Sequence, residues 1–172
     1  MSIEASFPVQ LSSGACVPFE SLYQPSGALL VFLRHLGCPF CKEQVTALRL
    51  EIGIPVFFVV GATVAEARQF REKVRSPHEI IVDAERTLAE HFGVGRASLA
   101  QLIGPKVFAR GFGAILRGHW VGLPLGDIWQ LPGIIHIGAD GEVAWEYIGD
   151  SAASTLNAQQ IRARLDIRQS KS

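Results

Sequence analysis

The sequence predicts an α/β domain in which helices cover both faces of a mixed central sheet. Three short apolar runs, at 28–35, 54–62 and 78–84, are each followed by a segment with helical spacing. Such alternation with short links favours parallel strands joined by right-handed crossovers. The closing stretch around Asp140-Gly141 has the pattern of a hairpin. A chain of 172 residues is most simply one domain, 1–172.

The first two strands and the helix between them are the clearest elements. The run from Ala28 to His35 is nearly continuous in apolar residues, as expected of a strand that is buried on both faces. The next segment, from Lys42 to Ile52, has helical spacing and should stop at Gly53. The run from Ile54 to Ala62 is rich in β-branched and aromatic residues, which favours a second buried strand.

A second and a third helix should follow these strands. Thr63 with Glu66 three residues later predicts a capping box at the start of the second helix. The apolar run 78–84 predicts the third strand, and a short helix should then end at Gly93. Before all of these, Cys16 lies in a predicted N-terminal hairpin, where we interpret it as structural.

Residues 95–131 separate the third strand–helix unit from the closing hairpin. This insertion is apolar and glycine-rich, and it should form broken helical segments around Gly104-Pro105 and then a loop. It could pack on the domain core, cover the active site or form a homodimer contact. Its basic residues interleave with aromatic ones, so an amphipathic element at a membrane surface is a further alternative.

Composition narrows the class of protein. With 16 basic and 16 acidic residues the formal net charge is zero, which argues against a nucleic-acid binder that relies on bulk positive charge. No apolar run approaches a membrane span, and the N-terminus does not have the pattern of a signal peptide. Three cysteines are too few for the disulfide framework of a small secreted domain. We therefore expect a cytoplasmic location.

The pair Cys38 and Cys41 has the spacing of a redox motif. Residues three apart lie on one helix face, within the separation that a disulfide tolerates. The pair stands where a buried strand leads into a helix, and the partial positive charge of a helix N-terminus stabilises a thiolate. Pro39 suits the first helical turn. We expect Cys38 to be the exposed, attacking sulfur and Cys41 to be the shielded, resolving one.

Other readings of the cysteines have less support. A structural zinc site needs four ligands, and no second Cys-x-x-Cys or paired histidine motif is present. An all-cysteine iron–sulfur cluster would need a fourth cysteine. Inert core thiols are the remaining alternative. No fingerprint for a nicotinamide or flavin nucleotide is found, so we expect neither a metal nor an organic cofactor.

The chain resembles the peroxiredoxin-like branch of the AhpC/TSA group, in particular proteins like prostamide/prostaglandin F synthase. The resemblance rests on three blocks that together span most of the chain, "FLRHLGCPFCKE", "IVDAERTLAEHFGVGR" and "GDIWQLPGIIHIGADGEV". It implies a thioredoxin-like fold, thiol-dependent redox activity and an inserted segment before the last hairpin. Ordinary peroxiredoxins have a threonine three residues before the reactive cysteine, whereas here His35 precedes Cys38 at that spacing.

Residues around the pair could support it. In thioredoxin-like proteins a cis-proline faces the cysteine loop, and Pro132 has the matching place before the fourth strand, so we predict a cis bond that exposes the Leu131 backbone to substrate. Arg34 and His35 are near enough in sequence to stabilise a thiolate at Cys38. Strand alternation sends these two side chains to opposite faces, so we expect at most one of them to reach the sulfur.

The predicted function is that of a thiol-disulfide oxidoreductase. Cys38 would attack a substrate disulfide, and Cys41 would resolve the mixed intermediate. A thiol peroxidase, in which Cys38 becomes a sulfenic acid, is the alternative within enzymes. A redox-sensing interaction protein without turnover is the alternative outside them. Both enzymes would need a thiol reductant, such as a thioredoxin or glutathione system, and a disulfide or peroxide substrate.

Overall fold

A seven-stranded sheet organises the part of the chain that the structure describes. In this computed structural model the described residues are 6–49, 52–98, 127, 129–151 and 154–169, with side chains described as far as Leu165. The strand order is β2-β1-β5-β4-β3-β6-β7. The strands are β1 Pro8–Leu11, β2 Cys16–Pro18, β3 Ala28–Phe32, β4 Val56–Val60, β5 Ile80–Val82, β6 Gly133–Ile137 and β7 Val143–Ile148. The helices are α1 Pro39–Ala47, α2 Val64–Lys73, α3 Thr87–His91 and α4 Ala158–Gln169.

The centre of the sheet is parallel and its flanks are antiparallel. Strand β4 pairs in parallel with β3 on one side and with β5 on the other, as the crossover argument predicted. Strand β6 runs antiparallel to β3, and β7 continues the sheet as the second half of the closing hairpin. At the other flank β1 joins β5 antiparallel, and β2 completes an N-terminal hairpin with β1. The mixed sheet is therefore confirmed.

Strand β3 is buried on both faces because helices cover both sides of the sheet. Leu29 and Val31 pack in a cluster that includes residues of α1, α2 and α4. Leu30 and Phe32 point the other way, into a cluster with α3 and with the 3₁₀ turn Phe19–Leu22. The alternation follows from the two-residue period of a strand. Packing therefore holds β3 in place on both faces, directly before the cysteine loop in the sequence.

Short-range sequence patterns account for several ends of the helices. The capping box at α2 is present, with Thr63 and Glu66 each bonding the other's backbone N–H. Helix α1 begins at Pro39 and ends at Ala47, earlier than the predicted end at Ile52. Its last turn closes through bonds from Leu48 and Arg49. None of the described helices is both long enough and apolar enough to span a membrane.

Two parts of the chain differ from the prediction or lie beyond the description. Helix α4 was not predicted, although Asn157 and Gln160 form a reciprocal cap at its start. Most of the predicted insertion, 99–126 and 128, lies outside the described residues. Its two ends are described and they pair, since Arg96 and Gln130 form an antiparallel bridge.

Candidate redox site

The cysteine pair lies where β3 leads into α1 at the carboxyl end of the parallel strands. Cys38 is the N-cap residue, Pro39 occupies the first helical position, and Cys41 follows within the first turn. The Cys38 carbonyl accepts the first helical bond from the Lys42 N–H at 3.1 Å. Proline fits this place because its missing N–H would have no helical partner. Open N–H groups of the first turn are therefore directed toward the Cys38 side chain.

Both sulfurs are buried, which corrects the expectation that Cys38 is exposed. The exposed fraction of Cys38 is 1% and that of Cys41 is 5%, and both are free thiols. The cause is packing of the whole loop. Leu36 and Phe40, on either side of Cys38, belong to the same buried cluster as Val31 of β3. A helix N-cap is often at the surface, but here its apolar neighbours draw it into the core.

Arg34 is the cation nearest to Cys38 among the described contacts. Its Nη1 atom lies 3.9 Å from the Cys38 sulfur, within the range of a hydrogen bond to sulfur. The Arg34 side chain is itself buried, so water screens this interaction only weakly. Arg34 therefore occupies the supporting position that was predicted for one of the two residues before the loop.

His35 does not supply a second cation. Burial, followed by the positive charges of Arg34 and Lys42, lowers the pKa of His35 to about 4. The imidazole is therefore neutral near pH 7. Its Nδ1 atom is buried without a hydrogen-bond partner in the described part of the chain. Its backbone contributes instead, because the His35 carbonyl accepts the Cys38 N–H at 3.1 Å.

A hydrogen bond between the Cys38 and Cys41 side chains shifts their pKa values in opposite directions. A hydrogen bond from the Cys41 thiol lowers the pKa of Cys38 to about 6, against the opposing effect of burial. The backbone N–H groups of Cys41 and Phe40 and the charge of Arg34 act in the same lowering direction. Cys38 is consequently a thiolate at neutral pH, stabilised by a thiol donor, two amides and a guanidinium.

Cys41 has the opposite tendency. Its hydrogen bond to Cys38, its burial and the negative charge of Cys38 raise the pKa of Cys41 well above its usual value. The backbone N–H groups of His35 and Arg34 oppose this rise. Cys41 therefore keeps its proton while Cys38 is ionised, and the pair consists of one nucleophile and one proton donor.

Pro132 lies near the pair, but its peptide bond differs from the prediction. Pro132, Arg34, Cys41 and Gln44 are among the residues that line a cavity of about 20 Å³. The Leu131–Pro132 bond is trans, so the predicted cis bond is wrong; in the described chain the cis bond is Gln24–Pro25. Trans is the ordinary state of a peptide bond before proline. The neighbouring Leu131 N–H donates to the Gly95 carbonyl at 3.0 Å. That N–H is therefore not free to pair with a substrate.

Two buried polar residues beside the site were missed from the sequence. Gln130 is 1% exposed, and its Nε2 donates to the Leu33 carbonyl at 2.7 Å. Arg86, also buried, donates to the Gln130 Oε1 at 2.9 Å and to the Asp127 carboxylate at 3.0 Å. No local pattern marks these residues, since their partners are far away in sequence.

Cys16 is remote from the pair. It is exposed on β2, at the edge of the sheet, and β1, β5 and β4 separate it from β3. Four strand spacings amount to about 19 Å, far beyond the reach of a disulfide. Within the described residues, no group of three or more His, Cys, Asp or Glu side chains could hold a metal ion.

Comparison with known proteins identifies the family. The model described as "AhpC/TSA antioxidant enzyme" matches residues 42–151, more than half of the chain, beginning directly after Cys41. Peroxiredoxin-like 2C from Homo sapiens is 26% identical over 133 residues, covering 73% of this chain and 56% of that protein. The protein of the same name from Takifugu rubripes is 26% identical over 148 residues, covering 76% of this chain and 66% of its own length. The chain thus spans little more than half the length of the first of these relatives.

Solved structures show the same fold at low identity. Peroxidoxin BcpB from Mycobacterium tuberculosis has a TM-score of 0.67 at 17% identity, with 94% of this chain and 92% of that chain covered. A mutant of peroxiredoxin 6 from Arenicola marina has a TM-score of 0.70 at 18% identity, with 98% and 72% covered. The chain belongs to the AhpC/TSA antioxidant enzyme family and has its peroxiredoxin-like, thioredoxin-type fold.

Proposed function

We propose that the protein is a thiol-dependent peroxidase whose Cys38–Cys41 pair cycles between a dithiol and a disulfide. One feature supports this most strongly: Cys38 and Cys41 are both buried, and a hydrogen bond between their side chains lowers the pKa of Cys38 and raises the pKa of Cys41. A nucleophile and a proton donor are therefore adjacent before any substrate arrives. Cys38 is the catalytic nucleophile in this proposal, and Cys41 resolves the oxidised intermediate.

The chemistry balances with a hydroperoxide as oxidant. The Cys38 thiolate attacks the terminal peroxide oxygen, the O–O bond breaks, and the departing alkoxide takes the proton of Cys41 to leave as an alcohol. Cys38 is then a sulfenic acid and Cys41 a thiolate. The Cys41 thiolate attacks the Cys38 sulfur, a disulfide forms and hydroxide departs. Two equivalents of a thiol reductant restore the dithiol and become a disulfide themselves.

The burial of the pair favours a small oxidant over a protein disulfide. Cys38 is 1% exposed, and the cavity beside Cys41 measures about 20 Å³, about the space of a single water molecule. A hydroperoxide group needs little more room than water, whereas a disulfide on another protein would require the loop to open. Arg34, at 3.9 Å from the sulfur, can stabilise negative charge that develops on the peroxide oxygens.

Thiol-disulfide exchange is the second candidate function. The chain has no threonine three residues before Cys38, the residue that ordinary peroxiredoxins use to position the peroxide. The Cys-x-x-Cys spacing with Pro39 at the first helical position is instead typical of disulfide exchange. In this reading Pro132 would contact a disulfide substrate after the loop opens, and Leu131 would do so through a group other than its bonded N–H.

The reductant, the domain organisation and the oligomeric state complete the proposal. The reductant would be a thioredoxin or glutathione system, which is available in the cytoplasm. We also take residues 1–172 as one domain, since the seven strands of the described residues belong to a single sheet. A homodimer contact through residues 95–131 is kept as a proposal that sedimentation can test.

Steady-state turnover tests the proposal. Protein carrying Cys16→Ser, which leaves the pair intact, is supplied with a thioredoxin-coupled reductant and, in separate reactions, with hydrogen peroxide, an alkyl hydroperoxide and a small disulfide. We expect continuous turnover with a peroxide and its loss in the Cys38→Ser variant. Turnover with the disulfide alone would favour the second candidate. A single stoichiometric oxidation without turnover would indicate a redox sensor and would contradict both enzyme proposals.

A further inference from the structure

Gln130 is a buried residue whose side chain bonds in two directions at once. Its Nε2 donates to the Leu33 carbonyl at 2.7 Å, and its Oε1 accepts from Arg86 at 2.9 Å. The orientation of the amide is fixed by chemistry, because a guanidinium can only donate and a carbonyl can only accept. Gln130 therefore cannot flip without losing both bonds in a site that water does not reach.

The Leu33 carbonyl belongs to the peptide unit that begins the cysteine loop. In a trans peptide the C=O and the following N–H point in opposite directions from one rigid plane. The N–H of this unit is that of Arg34, and it acts on the Cys41 sulfur. Gln130 thus holds one side of a plane whose other side faces Cys41. The Arg34 side chain, which leaves from the same unit, reaches Cys38 at 3.9 Å.

Arg86 donates three hydrogen bonds, one of them to the Gln130 side chain. Besides Gln130, it donates to the Val94 carbonyl at 2.9 Å and to the Asp127 carboxylate at 3.0 Å. Asp127 also accepts from Arg96 at 3.0 Å, although the Arg96 side chain is 62% exposed. The buried part of this network ends at Leu33, whereas the exposed part ends at Arg96. The two ends can be disturbed separately.

We propose that Gln130 is a positioning residue for the cysteine pair: its amide fixes the Leu33–Arg34 peptide unit, and through that unit it sets the place of the Arg34 guanidinium beside Cys38. The proposal rests on the proposed function, because it assumes that Cys38 is the reacting sulfur. The Arg86–Gln130 hydrogen bond then contributes to catalysis as well as to packing. Gln130 touches neither sulfur in this account and acts only through the backbone.

The test is a thiolate titration that does not depend on turnover. In a Cys16→Ser background, absorbance near 240 nm against pH gives the first apparent pKa of the pair. Gln130→Met keeps length and neutrality but removes both bonds, and Gln130→Asn keeps the amide but shortens its reach. We expect each to raise the first pKa by about one pH unit, so that the thiolate fraction at pH 5 falls about tenfold. Arg96→Met, which disturbs only the exposed end of the network, should titrate like the parent protein.

The outcomes separate this inference from the function itself. Folded Gln130→Met and Gln130→Asn proteins that titrate like the parent protein overturn the inference, whatever the turnover. Absence of peroxide turnover in the parent protein would contradict the proposed peroxidase function and would leave the titration result for Gln130 unaffected. If neither variant folds, ¹⁵N spectra of the unsubstituted protein decide. The Gln130 side-chain amide should shift when the dithiol is oxidised, and an unchanged amide signal contradicts the positioning role.

Discussion

The Arg34 guanidinium lies 3.9 Å from the Cys38 sulfur, and both groups are buried. Arg34 lies two residues after the end of β3 at Phe32, and Cys38 is the N-cap of α1. The strand and the helix thus bring a fixed positive charge to a thiolate in a place where water screens it poorly. The reactivity proposed for Cys38 depends on this pairing together with the thiol proton of Cys41.

Removing the guanidinium should weaken the thiolate. Arg34→Met keeps much of the apolar stem but removes the charge, so we expect the pKa of Cys38 to rise from about 6 toward its ordinary value. Peroxide oxidation measured at pH 6 should slow about fivefold for a shift of one pH unit, because the thiolate fraction falls from about one half to about one tenth. Arg49→Met, at an exposed position after α1, is the matched control and should keep the parent rate. Equal rates in the two variants would contradict the role of Arg34.

Serine substitutions at Cys38 and at Cys41 should affect the reaction with peroxide in different ways. Cys38→Ser should not react with peroxide, because a serine hydroxyl has no comparable anionic population near neutral pH. Cys41→Ser should still be attacked at Cys38 and should accumulate a sulfenic acid that has no thiol to resolve it. Intact mass after peroxide and a sulfenic-acid trap distinguishes them. A trapped adduct on Cys38→Ser, with none on Cys41→Ser, would reverse the assignment of nucleophile.

Stability should fall in mild acid partly because of His35. The folded state lowers the pKa of His35 to about 4, mainly by burial, whereas the unfolded value is about 6.5. Between these values only the unfolded chain binds the proton, so stability decreases as pH falls through this window and the loss is complete below it. Allowing for partial exposure, we expect a loss on the order of 1 to 2 kcal/mol.

Denaturant unfolding at pH 7 and pH 4.5 measures this contribution. His35→Gln should show a shallower pH dependence than the parent protein, since it has no titrating ring. The cysteine pair and the neighbouring charges of Arg34 and Lys42 are common to both proteins and cancel in the comparison. The same slope in both would show that His35 is not held neutral by the fold.

The buried end of the Arg86 network should matter more for stability than the exposed end. Arg86→Met leaves the Gln130 oxygen, the Val94 carbonyl and the Asp127 carboxylate short of a donor. We expect this to cost about 2 to 4 kcal/mol, because buried polar groups lose their partner. Arg96→Met removes an exposed ion pair to the same carboxylate and should cost less than about 1 kcal/mol. Similar unfolding midpoints for both variants would contradict the importance of burial here.

Local patterns in the sequence were enough to predict the frame of the site. The apolar run of β3, the Asp140-Gly141 turn and the capping box at Thr63 each reflect neighbours within a few residues, and all three are present. The position of Pro39 follows from the same kind of short-range rule. Helix α4 was missed because Ile161 and Leu165 are its two buried apolar residues in the described part, a weak signal in a polar segment.

Long-range contacts could not be predicted in the same way. Gln130 lies 97 residues from Leu33, and Arg86 lies 44 residues from Gln130, so no local period links them. The burial of Cys38 depends on how Leu36 and Phe40 pack against the sheet. The Leu131 N–H bonds the Gly95 carbonyl, and these two residues belong to opposite ends of the predicted insertion. Each of these is a property of the assembled core.

The most direct test of the redox pair is to map its bonds after oxidation by one equivalent of hydrogen peroxide. Reaction at pH 7, alkylation of the remaining thiols and peptide mass spectrometry identify which sulfurs are joined. The account predicts a Cys38–Cys41 disulfide, with Cys16 alkylated as a free thiol because it lies at the far edge of the sheet. A disulfide through Cys16, or three alkylated cysteines after full consumption of the peroxide, would contradict it.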